Sequence, residues 1–164
     1  MPVPDFVAAL RAHVGHAPLW LSGVSAVVVD DSGRILLTRR ADSGLWAVVS
    51  GILEPGEEPG PAALREIREE TGVVAELVRI TSVDTAGPIT YPNGDVASYL
   101  DVCFLARALS GDPYAADEEN LEVAWFAPDE LPAELTDSSS RRIEKALRGE
   151  SEAWFIRRPT PTGP

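Results

Sequence analysis

Apolar side chains recur at four-residue spacing from Phe6 through Leu10 to Val14. Asp5 precedes them, so the spacing predicts a short amphipathic helix capped by Asp5 and ending near Gly15. Its apolar stripe needs a partner, either the chain's own domain or a second subunit, and residues 1–17 are read as an N-terminal helical arm. Residues 24–29 and 35–38 are β-branched and aliphatic, and Asp30-Asp31-Ser32-Gly33 between them has turn chemistry, which predicts a β-hairpin. A further strand is expected over 46–49. Helical character then runs over 60–71, with Gly72 placed where a left-handed C-terminal residue is needed.

Residues 73–83 and 98–109 are two more strand-like runs. Tyr91-Pro92-Asn93-Gly94-Asp95 lies between them as a turn, so a long antiparallel pair is expected. A last strand covers 122–126, after the acidic Asp117-Glu118-Glu119. A second helix covers 136–148, capped by Thr136 or Asp137, with Ile143, Ala146 and Leu147 facing inward. This order of elements predicts an α+β domain over 18–158, an α/β/α sandwich with a mixed central sheet. The Pro/Thr/Gly-rich 159–164 reads as a frayed tail.

Composition narrows the function. A net charge of −12 opposes nucleic-acid polymers and anionic membrane, and an anionic substrate would need a local cation to offset that field. The single Cys103 allows no intrachain disulfide, and Met1-Pro2-Val3-Pro4-Asp5 has no signal-peptide pattern, so a cytoplasmic setting is expected. No apolar stretch is long enough to span a bilayer.

The predicted helix over 60–71 carries the chemistry. At 100° per residue, Glu66, Glu69 and Glu70 share one arc, and Leu64, Ile67 and Thr71 another. Like charges at these spacings destabilise a helix by a few tenths of a kcal/mol per pair, so the arc calls for a cation, and hard divalent ions prefer oxygen ligands. A solvated acidic face with Arg65 and Arg68 as surface ion-pair partners is the plainer alternative.

The surrounding residues favour the cation. Gly51 is followed after five residues by Glu57, and after seven more by Arg65-Glu66-Ile67-Arg68-Glu69-Glu70-Thr71-Gly72-Val73. This matches every fixed position of the Nudix box, G-x5-E-x7-R-E-U-x-E-E-x-G-U with U aliphatic, and the chain resembles the Nudix hydrolases over residues 22–148. Val49-Ser50 departs from the Pro-Gly that many relatives carry before the box.

The resemblance implies a metal-dependent pyrophosphohydrolase in which a metal-activated water attacks phosphorus. It makes Glu66 and Glu70 the principal ligands of Mg²⁺ or Mn²⁺, with Glu69 binding directly or through water and the Gly51 carbonyl as a further ligand. Glu57 would support the site, and Arg65 would orient the carboxylates. The general base differs among relatives, from a box glutamate to one on a later loop, where Glu119 comes first here and Glu118 second. Arg39, Arg40 and Arg79 are candidates to meet substrate phosphates. Trp46, Tyr91 and Tyr99 are candidates to stack on a base. Each arginine alone reads first as a surface residue, and Trp46, among apolar neighbours, as half core.

A small nucleotide-type substrate follows. Pro88, fifteen residues past Val73, resembles the proline of relatives that hydrolyse ADP-ribose. Tyr91, eighteen past, resembles the tyrosine of dinucleoside polyphosphate hydrolases. Nucleoside diphosphate derivatives rank first, noncanonical nucleoside triphosphates second and dinucleoside polyphosphates third. A non-catalytic nucleotide sensor is the alternative from another class, disfavoured because every box acid is kept.

Overall fold

The computed structural model describes residues 3–116 and 119–157. Its elements are α1 (Asp5–Val14), β1 (Leu19–Val29), β2 (Ile35–Arg40), β3 (Trp46–Ala47), β4 (Val49–Ile52), α2 (Pro59–Thr71), β5 (Val74–Thr90), β6 (Val96–Ser110), β7 (Asn120–Phe126) and α3 (Asp137–Leu147). The strands form one mixed sheet in the order β3-β2-β1-β6-β5, with β4 also paired to β1 and β7 to β2.

Alternation along the central strands explains the layers. Val27, Ile35, Leu37 and Cys103 are buried with Ile143 and Ala146 of α3. Ala26, Val28, Leu36 and Ala106 are buried with Ile67 of α2. Because successive strand residues point to opposite faces, α2 and α3 cover opposite sides of the sheet, as the expected sandwich requires. Thr136 caps α3, its side chain accepting from the Ser139 N–H at 3.3 Å. Leu147, expected inward, is instead 44% exposed.

The β1–β2 hairpin forms as expected, antiparallel across the 30–34 turn with Val29 opposite Ile35, while Gly23 to Ala26 of β1 pair with β4. Two expectations need correction. The expected strand over 46–49 is two short strands, because backbone groups of 134–136 and the Ser139 hydroxyl intercept its backbone at the changeover. Trp46 N–H donates to the Glu134 carbonyl, Thr136 N–H to the Trp46 carbonyl, and Val48 N–H to Ser139 Oγ at 3.0 Å. Asp5 does not cap α1; Pro4 stands at the cap without a side-chain bond and Asp5 begins the first turn.

The helical arm folds onto the domain. Val7 is buried with Leu21 and Ala97, Phe6 packs beside them, and Leu10 and Val14 are both 43% exposed. Arg11 fixes the helix by donating to the carbonyls of Gly15, Ala17 and Val96. The long β5–β6 pair has the predicted turn at 91–95, and its register skips between Ala86 and Ile89, around Pro88. No helix of the described residues is long and apolar enough to cross a membrane. The predicted tail and Glu118 lie outside the described residues.

Candidate active site

Gly51, in the middle of β4, lies against Glu66 of α2. A Cβ on Gly51 would stand 2.1 Å from both Cδ and Oε1 of Glu66, so the carboxyl group occupies the space a side chain would take. This contact buries Glu66 to 1% exposure. Desolvation pushes its carboxyl up to about 7, against the pull of the adjacent Arg65.

Arg65 organises the acids around it. Its Nε and Nη2 donate to Oε1 and Oε2 of Glu57, each at 2.8 Å, in the bidentate geometry that suits a planar guanidinium. Its Nη1 donates to Glu66 Oε1 at 2.9 Å and to Glu69 Oε2 at 3.1 Å. The hydrogen bonds to Arg65 hold the Glu57 carboxyl below its ordinary range. Arg65 thus bonds three of the box carboxylates at once.

Glu66 Oε2 is different: it is buried and has no hydrogen-bond partner. A buried carboxylate oxygen without a donor is costly, and either a proton or a bound cation offsets it. Glu70, one turn along the same helix, is 8% exposed and accepts from Asn120 Nδ2 at 3.4 Å. These hard oxygen donors fit a divalent ion. Glu69 turns away to Arg65 with its side chain 56% exposed. Among the described residues no three His, Cys, Asp or Glu side chains are gathered as a closed ion cage. The three helix carboxylates therefore do not converge as expected, because a guanidinium already ties Glu69 and one oxygen of Glu66.

Of the expected phosphate contacts, only Arg40 reaches this region. Its hydrogen bonds to Asp42, and then the charges of Asp42 and Glu70, raise its pKa against the cost of burial. Arg39 donates instead to the Gly44 carbonyl and lies 4.0 Å from Glu122. Arg79 donates to the Ala146 carbonyl near the end of α3, at 3.0 Å, so it belongs to the opposite face of the sheet. Trp46 is likewise a core residue on that face, edge-on to Phe126 with centroids 4.8 Å apart, and is not available to stack on a base.

Tyr91 and Tyr99 share a hydroxyl–hydroxyl bond of 2.6 Å, and burial, then this bond, raises the Tyr99 pKa. Tyr99 Cβ and the Gly51 carbonyl would each lie 3.6 Å from a Cβ on Gly23, which ties the tyrosine pair to the strand that carries Gly51. Glu119 directly precedes β7, and its carbonyl accepts from the Ala41 N–H beside Arg40. Asn120, which touches Glu70, was not singled out from the sequence; an amide beside an acidic triplet carries no pattern that would mark it.

The NUDIX domain family model matches residues 20–147, most of the chain and all of this geometry. The chain belongs to the Nudix family. It is similar to a MutT-like protein of Streptomyces ambofaciens, 33% identical over 80% of this chain and 80% of that protein. A putative 8-oxo-dGTP diphosphatase of Bacillus subtilis is 29% identical over 82% of this chain and 85% of its own. Among solved structures, a MutT Nudix hydrolase from Burkholderia pseudomallei matches with TM-score 0.62 and 32% identity, over 77% of this chain and 98% of that one. The chain is thus a Nudix hydrolase acting on phosphoanhydride bonds, and its Nudix box has Gly51, Glu57, Arg65, Glu66, Glu69, Glu70 and Gly72 at the fixed positions.

Proposed function

We propose that this chain is a Mg²⁺- or Mn²⁺-dependent pyrophosphohydrolase of free nucleotides, with a noncanonical or damaged nucleoside triphosphate or diphosphate as its first substrate class. The orphaned Glu66 Oε2 beside Gly51 carries the metal-dependent part of this reading. The Bacillus subtilis relative, by its name, supports the substrate class. A nucleoside diphosphate sugar such as ADP-ribose, ranked first from the sequence alone, becomes second: its motive was Pro88, which sits within β5 where the ladder skips, a sufficient reason for a proline there.

In this reading Glu66 and Glu70 hold the cation, the Gly51 carbonyl is a further ligand, and Glu69 acts through water. The bound cation supplies a water of lowered pKa and offsets charge on the diphosphate. Arg65 keeps the carboxylates in place through Glu57, and Arg40 meets a substrate phosphate. Glu119 takes the proton of the attacking water as its oxygen bonds to phosphorus; the bridging oxygen leaves with the electron pair of the broken P–O bond. Tyr91 and Tyr99 form one wall beside the nucleoside.

The test is incubation with Mg²⁺ and a panel of 8-oxo-dGTP, ordinary dNTPs, ADP-ribose and a dinucleoside tetraphosphate, following monophosphate and pyrophosphate release. Release that requires metal and is lost in Glu70→Gln is the expected result. Saturable binding without turnover would replace hydrolysis by sensing.

A further inference from the structure

The chain between β6 and β7 is fastened to the C-terminal end of α2 at several points. Gly72 has φ +70°, and a Cβ there would lie 2.2 Å from Cε1 of Tyr114, so the tyrosine ring is seated where a side chain would project. Gly111 also comes close: a Cβ on it would lie 2.9 Å from the Gly72 carbonyl oxygen. The backbone N–H groups of Tyr114 and Ala116 donate to the carbonyls of Thr71 and Glu70, at 3.1 and 3.2 Å. The last carbonyls of a helix have no partner within it, and here the connecting chain provides them. Beyond it, Asn120 reaches back to the Glu70 carboxylate and the Glu119 carbonyl is held by Ala41 N–H.

We propose that Tyr114, seated on Gly72, is a positioning residue for hydrolysis: it latches the 111–116 segment to the end of the catalytic helix and thereby helps to set Asn120 against Glu70. Gly72 then serves the site twice, by its left-handed backbone and by leaving room for the ring. The contact is made by ring carbons, Cε1, Cδ1 and Cζ, which phenylalanine also supplies. The inference rests on the hydrolytic reading above only for its effect on rate; the latch itself is a property of the chain.

Tyr114→Ala and Tyr114→Phe are the decisive variants, measured by steady-state kinetics and by amide hydrogen exchange of the metal-free protein. Tyr114→Ala is expected to lower kcat about tenfold with KM within about twofold, a modest share of what an ångström-scale misplacement can cost. Tyr114→Phe is expected to restore the wild-type rate. In exchange, the amides of Tyr114 and Ala116 lose protection in the alanine variant and keep it in the phenylalanine variant. Unchanged protection in Tyr114→Ala overturns the latch whatever the activity, and lost protection with unchanged kcat overturns the positioning role. A rise in KM alone makes the ring a substrate contact, and an equal loss in both variants assigns the effect to the hydroxyl; either result overturns the proposal. A wild-type protein that hydrolyses nothing in the panel sinks the hydrolytic reading and the rate effect, while exchange still decides the latch.

Discussion

Replacing Gly51 with alanine isolates the contact on which the site is built. Gly51 is not among the glycines with positive φ, so alanine brings no backbone strain, and any effect comes from the methyl group. That methyl would start 2.1 Å from Glu66 Cδ and must reach an ordinary contact of at least 3.4 Å, a displacement of about 1.3 Å. Glu66 is fully buried and bonded to Arg65 at 2.9 Å, so a shift of this size breaks the bond or moves the whole group. Overpacking of this kind costs about 1–3 kcal/mol of stability, and a misplacement near 1 Å at reacting groups costs about 10²-fold in rate. Gly23→Ala is the control, because its Cβ would meet its nearest neighbours at 3.6 Å, an ordinary contact. Urea denaturation and metal-dependent turnover measure both effects. If Gly51→Ala keeps wild-type rate and stability, or Gly23→Ala is as damaging, the steric account of this glycine is wrong.

Two further outcomes are expected. The Glu66 carboxyl holds its proton more tightly folded than unfolded, so its stabilisation is present below about pH 4.5 and is lost as pH rises towards 7. Glu66→Gln, without metal, should therefore gain on the wild type across that window by at most about 3 kcal/mol, read from denaturation at pH 4.5 and pH 8. Added Mg²⁺ or Mn²⁺ should reverse the order at pH 8 by stabilising the wild type alone; equal stabilisation of both proteins would move the ion away from Glu66. The arginines separate by face. Arg40→Ala should raise KM about tenfold while Arg79→Ala leaves KM unchanged and lowers the melting temperature, and a KM effect from Arg79 would contradict its place at α3.

The helices and most strand positions were readable because each declares itself locally: Gly72 ends α2, Thr136 caps α3, and the turn at 91–95 closes β5 on β6. The hairpin pairs were readable, but the wider pairing was not: β1 also pairs with β4 and runs parallel to β6, and residues 46–48 are held by Ser139 and Thr136 some ninety positions away. For the same reason the box acids and Arg65 were found by spacing, whereas Arg39, Arg79 and Trp46 were grouped by residue type and scattered by strand alternation and packing. Asn120 and Tyr114 have meaning only beside Glu70 and Gly72, and proximity of that kind leaves no mark on either stretch of sequence.

The parallel seam between β1 and β6 joins Leu19 with Ala97 and Val29 with Arg107, always 78 positions apart. Gly51, Glu57, Glu66 and Glu70 all lie inside that excursion. A neighbour-to-neighbour hairpin such as β5–β6 closes with little entropy lost, whereas the seam must first bring distant chain together. β1 carries β4 and Gly51 along part of its length but gains its parallel neighbour only from residues beyond the whole motif, so the sheet under the catalytic helix is completed by chain that follows that helix.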